Sequence, residues 1–225
     1  PERIALADTD GVELELVAPA VAWPKTSFRI EVSTSANATA LAAIDSTSLQ
    51  AIASTIPATA EGLMMAATQL TVLAKEARGL GDSARAGALT VTAAELLLRI
   101  SDPQATARFA EALESSVPET VASAHLGLAA IEHEKGRLEA AIVHQQQARA
   151  LAGDDELLHA RIDVAEADDL AERGEHAQCV GKLVPRLEVV RKYGHPHLIA
   201  EYESSIGWCH KELGDRKKAA DHFER

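Results

Sequence analysis

The sequence predicts an all-α protein built from repeated pairs of helices. Apolar residues recur at helical spacing from about residue 38 onward, and residues that stop helices recur at a nearly constant interval. Hydrophobic residues make up 47% of the 225-residue chain but aromatic residues only 3%. Ala, Leu, Val and Ile must therefore fill the core, which suits helices that pack closely together.

The first 35 residues follow a different pattern. Apolar residues alternate with a period near two within 4–6, 12–16 and 28–32, which predicts two or three short strands in a β-like N-terminal segment, residues 1–35. An irregular first helix pair is predicted for residues 36–82. Its second helix has an apolar face that includes Leu63 and Ala77, and it ends at Gly79 to Gly81.

Four corners divide the rest of the chain, each combining a helix stop with a helix start. They lie at Ser101-Asp102, Gly136-Arg137, Gly174-Glu175 and Gly214-Asp215, at successive intervals of 35, 38 and 40 residues. The predicted repeats are 83–117, 118–153, 154–194 and an incomplete 195–225. The first helices are predicted near 83–100, 118–135, 155–173 and 196–213, and the second near 103–116, 137–151, 175–193 and from 215 onward. Pro185 predicts a kink in the third of these second helices.

These units resemble the tetratricopeptide repeat family, in the longer form that occurs in bacterial signalling proteins. The family has a small residue seven positions before the corner Gly and an Ala five positions after it, and the last unit matches with Gly207, Gly214 and Ala219. The third unit departs, because Glu166 stands at a position that is usually apolar and Cys179 replaces the Ala. The resemblance covers roughly residues 60–225 and implies an α-solenoid, a right-handed superhelix of stacked helix pairs.

The resemblance also implies a partner-binding groove on the first helices. Its positions fall on Glu95, Arg99, Leu126, Ala130, His133, Arg161, Val164, Asp168, Glu201, Ser204, Trp208 and Lys211. In the last unit, helical spacing alone also places Glu201, Ser204, Trp208 and Lys211 opposite an apolar stripe. The stripe consists of Leu198, Tyr202, Ile206, Cys209 and Leu213. A Trp among charged residues is typical of a binding hot spot, and the alternative is that Trp208 packs against a following helix. The stripe predicts a continuation of the array, a capping helix or another chain.

A protein-binding scaffold is the function that these features predict. The formal net charge of -12 disfavours nucleic acid and anionic membranes as partners. Acids and bases alternate in the groove, so we expect a basic or mixed-charge peptide or helix of a partner protein. One alternative is a regulatory or dimerisation module of a bacterial signalling protein, with a diguanylate cyclase or transcription-regulator domain beyond Arg225. Another is self-association through the incomplete last repeat.

Catalytic and metal sites are not predicted. The chain has no nucleotide-binding glycine motif, no G-x-S-x-G and no H-E-x-x-H, so we expect no enzyme activity and no cofactor. His195, His197 and Glu201 have the best metal-ligand spacing, but His195-Pro196-His197 also fits a turn that starts a helix. Histidines elsewhere are expected to be solvated or part of the core.

The cysteines bear on the compartment. Cys179 and Cys209 are the only two, and they lie far apart and form no C-x-x-C pair, so neither a disulfide framework nor a zinc ribbon is predicted. The chain also shows no apolar run of membrane-spanning length and no export signal. A reducing, cytoplasmic setting is therefore the prediction.

Overall fold

The computed structural model describes residues 3–5, 15–17, 29–31, 59–194 and 196–224. Three short strands, β1 (Arg3–Ala5), β2 (Glu15–Val17) and β3 (Arg29–Glu31), pair antiparallel in the order β1-β2-β3. The described residues from 59 onward are helices and the turns that connect them. Most of the predicted strand segment and residues 36–58 of the predicted first helix pair lie outside the described residues.

The chain consists of two compact units, which are residues 1–108 and residues 109–225. In the first unit, α1 (Ala60–Gly79) packs against α2 (Ser83–Leu98). Leu63 and Ala77 lie on the buried face of α1, as predicted. The side chain of Asp82 accepts a hydrogen bond from the Arg85 amide at 3.0 Å and so caps the start of α2.

Short turns separate the helices that follow. They are α3 (Gln104–Ala112), α4 (Pro118–Glu134), α5 (Leu138–Leu151), α6 (Glu156–Glu172), α7 (His176–Leu183), α8 (Leu187–Tyr193), α9 (Pro196–Glu212) and α10 (Arg216–Phe223). The division between the two units falls within α3. A single 3₁₀ turn, Val184–Arg186, separates α7 from α8. It confirms the interruption predicted at Pro185, which has no amide proton to donate to Gly181.

The four predicted corners share one backbone geometry. A residue with positive φ follows each first helix: Ser101 (51°), Gly136 (71°), Gly174 (76°) and Gly214 (81°). The next residue donates its amide proton to the carbonyl five positions earlier, at 2.8 to 3.0 Å. This is the Schellman arrangement, which leaves few carbonyls unsatisfied at a helix end and favours Gly because the left-handed region is strained for other residues. The predicted corners are therefore confirmed as helix stops.

Helices of the second unit pack chiefly against their neighbours in the chain. The hairpins are α4 with α5, α6 with α7, and α9 with α10. Successive hairpins meet where α6 contacts both α4 and α5, and where α9 contacts both α6 and α7. Each first helix thus touches the first helix of the next pair, so their outward side chains are brought side by side.

The core between the last two hairpins accounts for most of the predicted apolar stripe. Leu198, Tyr202, Ile206 and Cys209 are buried in one cluster with residues of α6 and α7, whereas Leu213 is 49% exposed. The expectation that the stripe needs a continuation of the array, a capping helix or another chain is therefore wrong for four of its five members, because helices that precede α9 already cover them.

The predicted small position at Gly207 marks a close approach between α9 and α10. A Cβ atom placed there would lie 2.8 Å from the ring of Phe223, closer than carbon atoms normally come. The Phe109 ring lies against Gly127 in the same manner. Glycine therefore lets an aromatic ring reach the helix backbone at both places.

A buried ion network explains the unusual Glu166. Asp163 on α6, only 1% exposed, accepts a hydrogen bond from Arg149 of α5 at 2.5 Å and another from Arg186 of the 3₁₀ turn. Glu166 lies 2.8 Å from Nε of Arg149 and 2.7 Å from Nζ of Lys182 on α7. Charge pairing between the hairpins therefore replaces the apolar contact that the family pattern implies at this position.

The prediction of no disulfide is wrong. Cys179 of α7 and Cys209 of α9 form a disulfide, with their Cα atoms 6.5 Å apart. The two residues are 30 positions apart in sequence, and only the packing of α9 on α7 brings them together.

No helix among the described residues is long and apolar enough to cross a membrane.

Candidate functional site

The first helices of the second unit place six of the twelve predicted groove residues on one surface. We call it the Trp208 face, and it consists of His133, Asp168, Glu172, Glu201, Ser204, Ser205, Trp208 and Lys211. Glu95 of α2 is half-buried and Arg99 at the end of α2 is exposed. Both belong to the first unit, so the candidate site is built from the second unit alone.

Four of the groove predictions need revision or qualification. Leu126 and Val164 are only 8% and 9% exposed, so their prediction as groove residues is wrong, and they pack in the core between hairpins. Ala130 and Arg161 are half-buried on α4 and α6. The exposed surface is consequently more polar than the resemblance implies.

Charged side chains connect α4 to α6 on this surface. Nε2 of His133 lies 3.3 Å from Oδ1 of Asp169 and 3.3 Å from Oε1 of Glu172. Asp169 is buried, and its Oδ2 accepts a hydrogen bond of 2.8 Å from the amide of Gln145 on α5. The imidazole of His133 therefore lies against two carboxyl groups on the next first helix.

Asp168 connects α6 to α9. Its Oδ1 accepts a hydrogen bond from the Ser205 hydroxyl at 3.4 Å. Burial of the carboxyl group, with the nearby negative charges of Glu201 and Asp169, raises the pKa of Asp168 from 3.8 to about 6, against the Ser205 hydrogen bond and the His133 charge. Negative charge at this point of the face is thus poorly compensated within the protein.

Trp208 lies on the exposed side of α9. It is 49% exposed, so about half of its surface is open to solvent. The Lys211 ammonium lies 4.0 Å from the centroid of the indole, within the range of a cation–π contact. A large aromatic surface with a cation above it is therefore available beside the acidic groups.

Asp169, Glu172 and Ser205 were missed by the sequence analysis. Glu172 is one helical turn after Asp168, and Ser205 is one turn after Glu201, so the spacing that found their neighbours also includes them. Counting family positions selected single residues, whereas contact between helices recruits the residues on either side. A search for polar residues three or four positions from each predicted groove residue would have found Glu172 and Ser205.

Histidines do not assemble a metal centre in the described part of the chain, where no group of three metal-ligating side chains converges. His197 lies 3.5 Å from Glu201 across one helical turn, and His195 is outside the described residues. His125 of α4 and His144 of α5 face each other with their Nδ1 atoms 3.0 Å apart. One ring must donate and the other accept, and burial followed by the His144 charge lowers the pKa of His125.

No protein-family model matches the chain, and no curated protein matches it. Function must therefore be argued from the geometry of the Trp208 face.

We predict that Asp168→Asn stabilises the protein at neutral pH. The raised pKa means that the native state binds more protons than the unfolded state between pH 3.8 and about 6, so Asp168 costs stability once the pH exceeds that window. The Asp168 side chain is exposed to solvent although neighbouring groups partly desolvate its carboxyl group, so solvent screens its charge and we expect a gain of no more than about 1 kcal/mol above pH 6. Urea unfolding at pH 4 and pH 7 measures the gain as the free energy of unfolding of the variant relative to the natural protein.

An exposed carboxylate on α10 provides the control. Asp221→Asn removes the same charge elsewhere on the surface of the unit. Its stability relative to the natural protein should change less between pH 4 and pH 7 than that of Asp168→Asn. Equal pH dependence of the two variants would contradict the electrostatic account of Asp168.

Proposed function

We propose that the second unit is a protein-binding module that holds a basic or mixed-charge peptide or helix of a partner against the Trp208 face. The half-exposed Trp208, with Lys211 over its ring and Asp168 and Glu201 on the same surface, is the observation that carries this proposal. Exposed tryptophan is among the residues that contribute most to interfaces. Uncompensated acids favour a partner that brings positive charge.

An α-solenoid of the tetratricopeptide type, preceded by a β-like N-terminal segment, is the architecture that we propose for the whole array. Repeated corners of one geometry and contacts between successive first helices support it. In such arrays the first helices present a common surface to a ligand, largely pre-formed before binding. No enzyme activity, cofactor or metal is part of this proposal.

The structure gives less support to two other predictions, self-association and a cytoplasmic location. Of the predicted self-associating surface, Leu213 and Phe223 remain about half exposed, at 49% and 51%. The cytoplasmic location was predicted partly from the cysteines, and the disulfide removes that support, because disulfides persist chiefly in oxidising compartments. The cytoplasmic location stays a prediction.

Selection from a displayed library of random 15-residue peptides tests the function. Enriched peptides should carry net positive or mixed charge, and fluorescence anisotropy should show binding that weakens as salt is added. Trp208→Ala should raise the dissociation constant of an enriched peptide by about 30-fold. This is the effect of a hot-spot residue that contributes about 2 kcal/mol.

Lys217→Ala is the matched control, since Lys217 is exposed on α10 and lies outside the Trp208 face. It should leave the affinity within about twofold, as expected of a residue outside the interface. Failure to enrich any peptide, or affinities that Trp208→Ala leaves unchanged, would defeat the proposal. Enrichment of acidic peptides would defeat the charge assignment alone.

A further inference from the structure

The disulfide joins the helix that carries Trp208 to the preceding hairpin. Cys209 directly follows Trp208 on α9, and Cys179 lies on α7. The two cysteines are 1% and 0% exposed and belong to the core cluster that includes Tyr202 and Ile206. One side of α9 is thus covalently attached to the protein while the opposite side presents the Trp208 face.

Correct spacing between α6 and α9 is what the face requires. Asp168 of α6 and Ser205 of α9 meet at 3.4 Å, and Ser205 lies four residues before Cys209 on the same helix. The carbonyl of Ser205 is itself 4.0 Å from the Cys179 sulfur. A shift of α9 relative to α7 would therefore move Ser205, Trp208 and Lys211 together, away from the acids of α6.

We propose that the Cys179–Cys209 disulfide is a redox gate on the Trp208 face, with the oxidised protein competent to bind the partner and the reduced protein impaired. This inference rests on the proposed function. Under this proposal, a thiol reductant regulates the binding of the partner to the Trp208 face.

The chemistry of the gate is thiol–disulfide exchange with a dithiol. One thiolate of the dithiol attacks a sulfur of the pair, the S–S bond breaks, and the other cysteine leaves as a thiolate and takes up a proton. The second thiol of the reductant, as its thiolate, then attacks the mixed disulfide and displaces the remaining cysteine as a thiolate, which takes up a proton. Cys179 and Cys209 become two thiols and the dithiol becomes a cyclic disulfide, so two electrons and two protons are transferred.

Burial of the sulfurs couples the gate to the ligand. A reductant reaches a sulfur only when α9 separates locally from α7, because both cysteines are buried. A peptide that contacts α6 and α9 together favours the closed state and so slows reduction. Linkage requires the converse as well: reduction must weaken the binding of that peptide.

The test uses the full chain in three forms, namely oxidised, reduced with dithiothreitol, and reoxidised. Hydrogen exchange should show amide protection in residues 201–211 falling by about tenfold or more on reduction and returning on reoxidation, as expected when a crosslink that restrains a helix is removed. The affinity for an enriched peptide should fall by about tenfold or more, since a closed α9 is then only fractionally populated. Saturating peptide should slow reduction to a similar extent.

Two further measurements separate the possible failures. The variant that combines Cys179→Ala with Cys209→Ala should bind the peptide as weakly as the reduced protein does. Its affinity should be the same with and without dithiothreitol, which would exclude an effect of the reductant at any other site. Equal protection of 201–211, or equal peptide affinity, in the oxidised and reduced forms would overturn the redox gate while leaving the proposed function in place. Absence of peptide binding in every form would overturn both.

Discussion

Asp163→Ala is expected to lower the free energy of unfolding by about 3 to 5 kcal/mol, the usual cost of removing one partner from a buried ion pair. Asp163 is 1% exposed, and its two carboxylate oxygens accept hydrogen bonds from Arg149 and Arg186. Without it, Arg149 and Arg186, whose side chains are 32% and 28% exposed and belong to different hairpins, lose the buried carboxylate that joins them. Urea denaturation monitored by circular dichroism measures the loss.

Glu156→Ala is the matched control for this network. Glu156 binds the same Arg186, at 3.0 Å, but its side chain is 58% exposed. An exposed ion pair contributes about 0 to 1 kcal/mol, so this variant should stay close to the natural protein. If the two variants lose the same stability, burial of Asp163 is not what makes it important.

An apolar replacement of the network separates charge from packing. Asp163→Leu combined with Arg149→Met and Arg186→Met removes all three central charges together. Such replacements are often neutral or stabilising, because they avoid the cost of taking ions out of water. Recovery of stability in the triple variant is therefore expected, whereas a loss as large as that of Asp163→Ala would show that packing volume dominates.

Helix positions were predictable because the stop signals are local. A left-handed residue after a helix is determined by the conformational preferences of a single amino acid, and Gly136, Gly174 and Gly214 each mark such a position. Pro185 is equally local, since its missing amide proton affects the helix that contains it. The sequence therefore predicts where each helix ends to within a few residues, α3 excepted.

The direction in which each helix faces was predictable only in the last pair. The spacing of Glu201, Ser204 and Trp208 opposite an apolar stripe defines the exposed side of α9 from the sequence itself. On α4 and α6 the groove was assigned by counting family positions, and Leu126 and Val164 prove to be buried. The rotation of these helices depends on packing between hairpins, which residue counting does not capture.

Contacts between hairpins were the least predictable feature. Neither the pairing of Asp163 with Arg149 and Arg186 nor the disulfide has a local signal, because each depends on two helices meeting in space. Glu166 did give a sign, since a charged residue at a position that is usually apolar needs a partner. Its partners, Arg149 and Lys182, could be named only once α5, α6 and α7 were packed together.

Removal of the disulfide is expected to lower the free energy of unfolding by about 3.5 kcal/mol, from the conformational entropy that a crosslink closing a loop of 30 residues removes from the unfolded chain. Reduction of the natural protein and the double Cys→Ala variant should both show this loss in urea denaturation. The variant should lose slightly more, because truncating two buried sulfurs also leaves small cavities.

The position of the loop gives this prediction a sharper form. Residues 179–209 include the 3₁₀ turn at Pro185 and the short helix α8, so helical structure is interrupted within the loop that the crosslink closes. A crosslink across interrupted structure restrains many unfolded conformations, so reduction should act mainly on α9 and α10 and leave the α4–α5 hairpin protected from hydrogen exchange. A uniform loss of protection throughout the second unit would instead indicate one cooperative unfolding unit, and the disulfide would then stabilise the whole unit rather than its last hairpin.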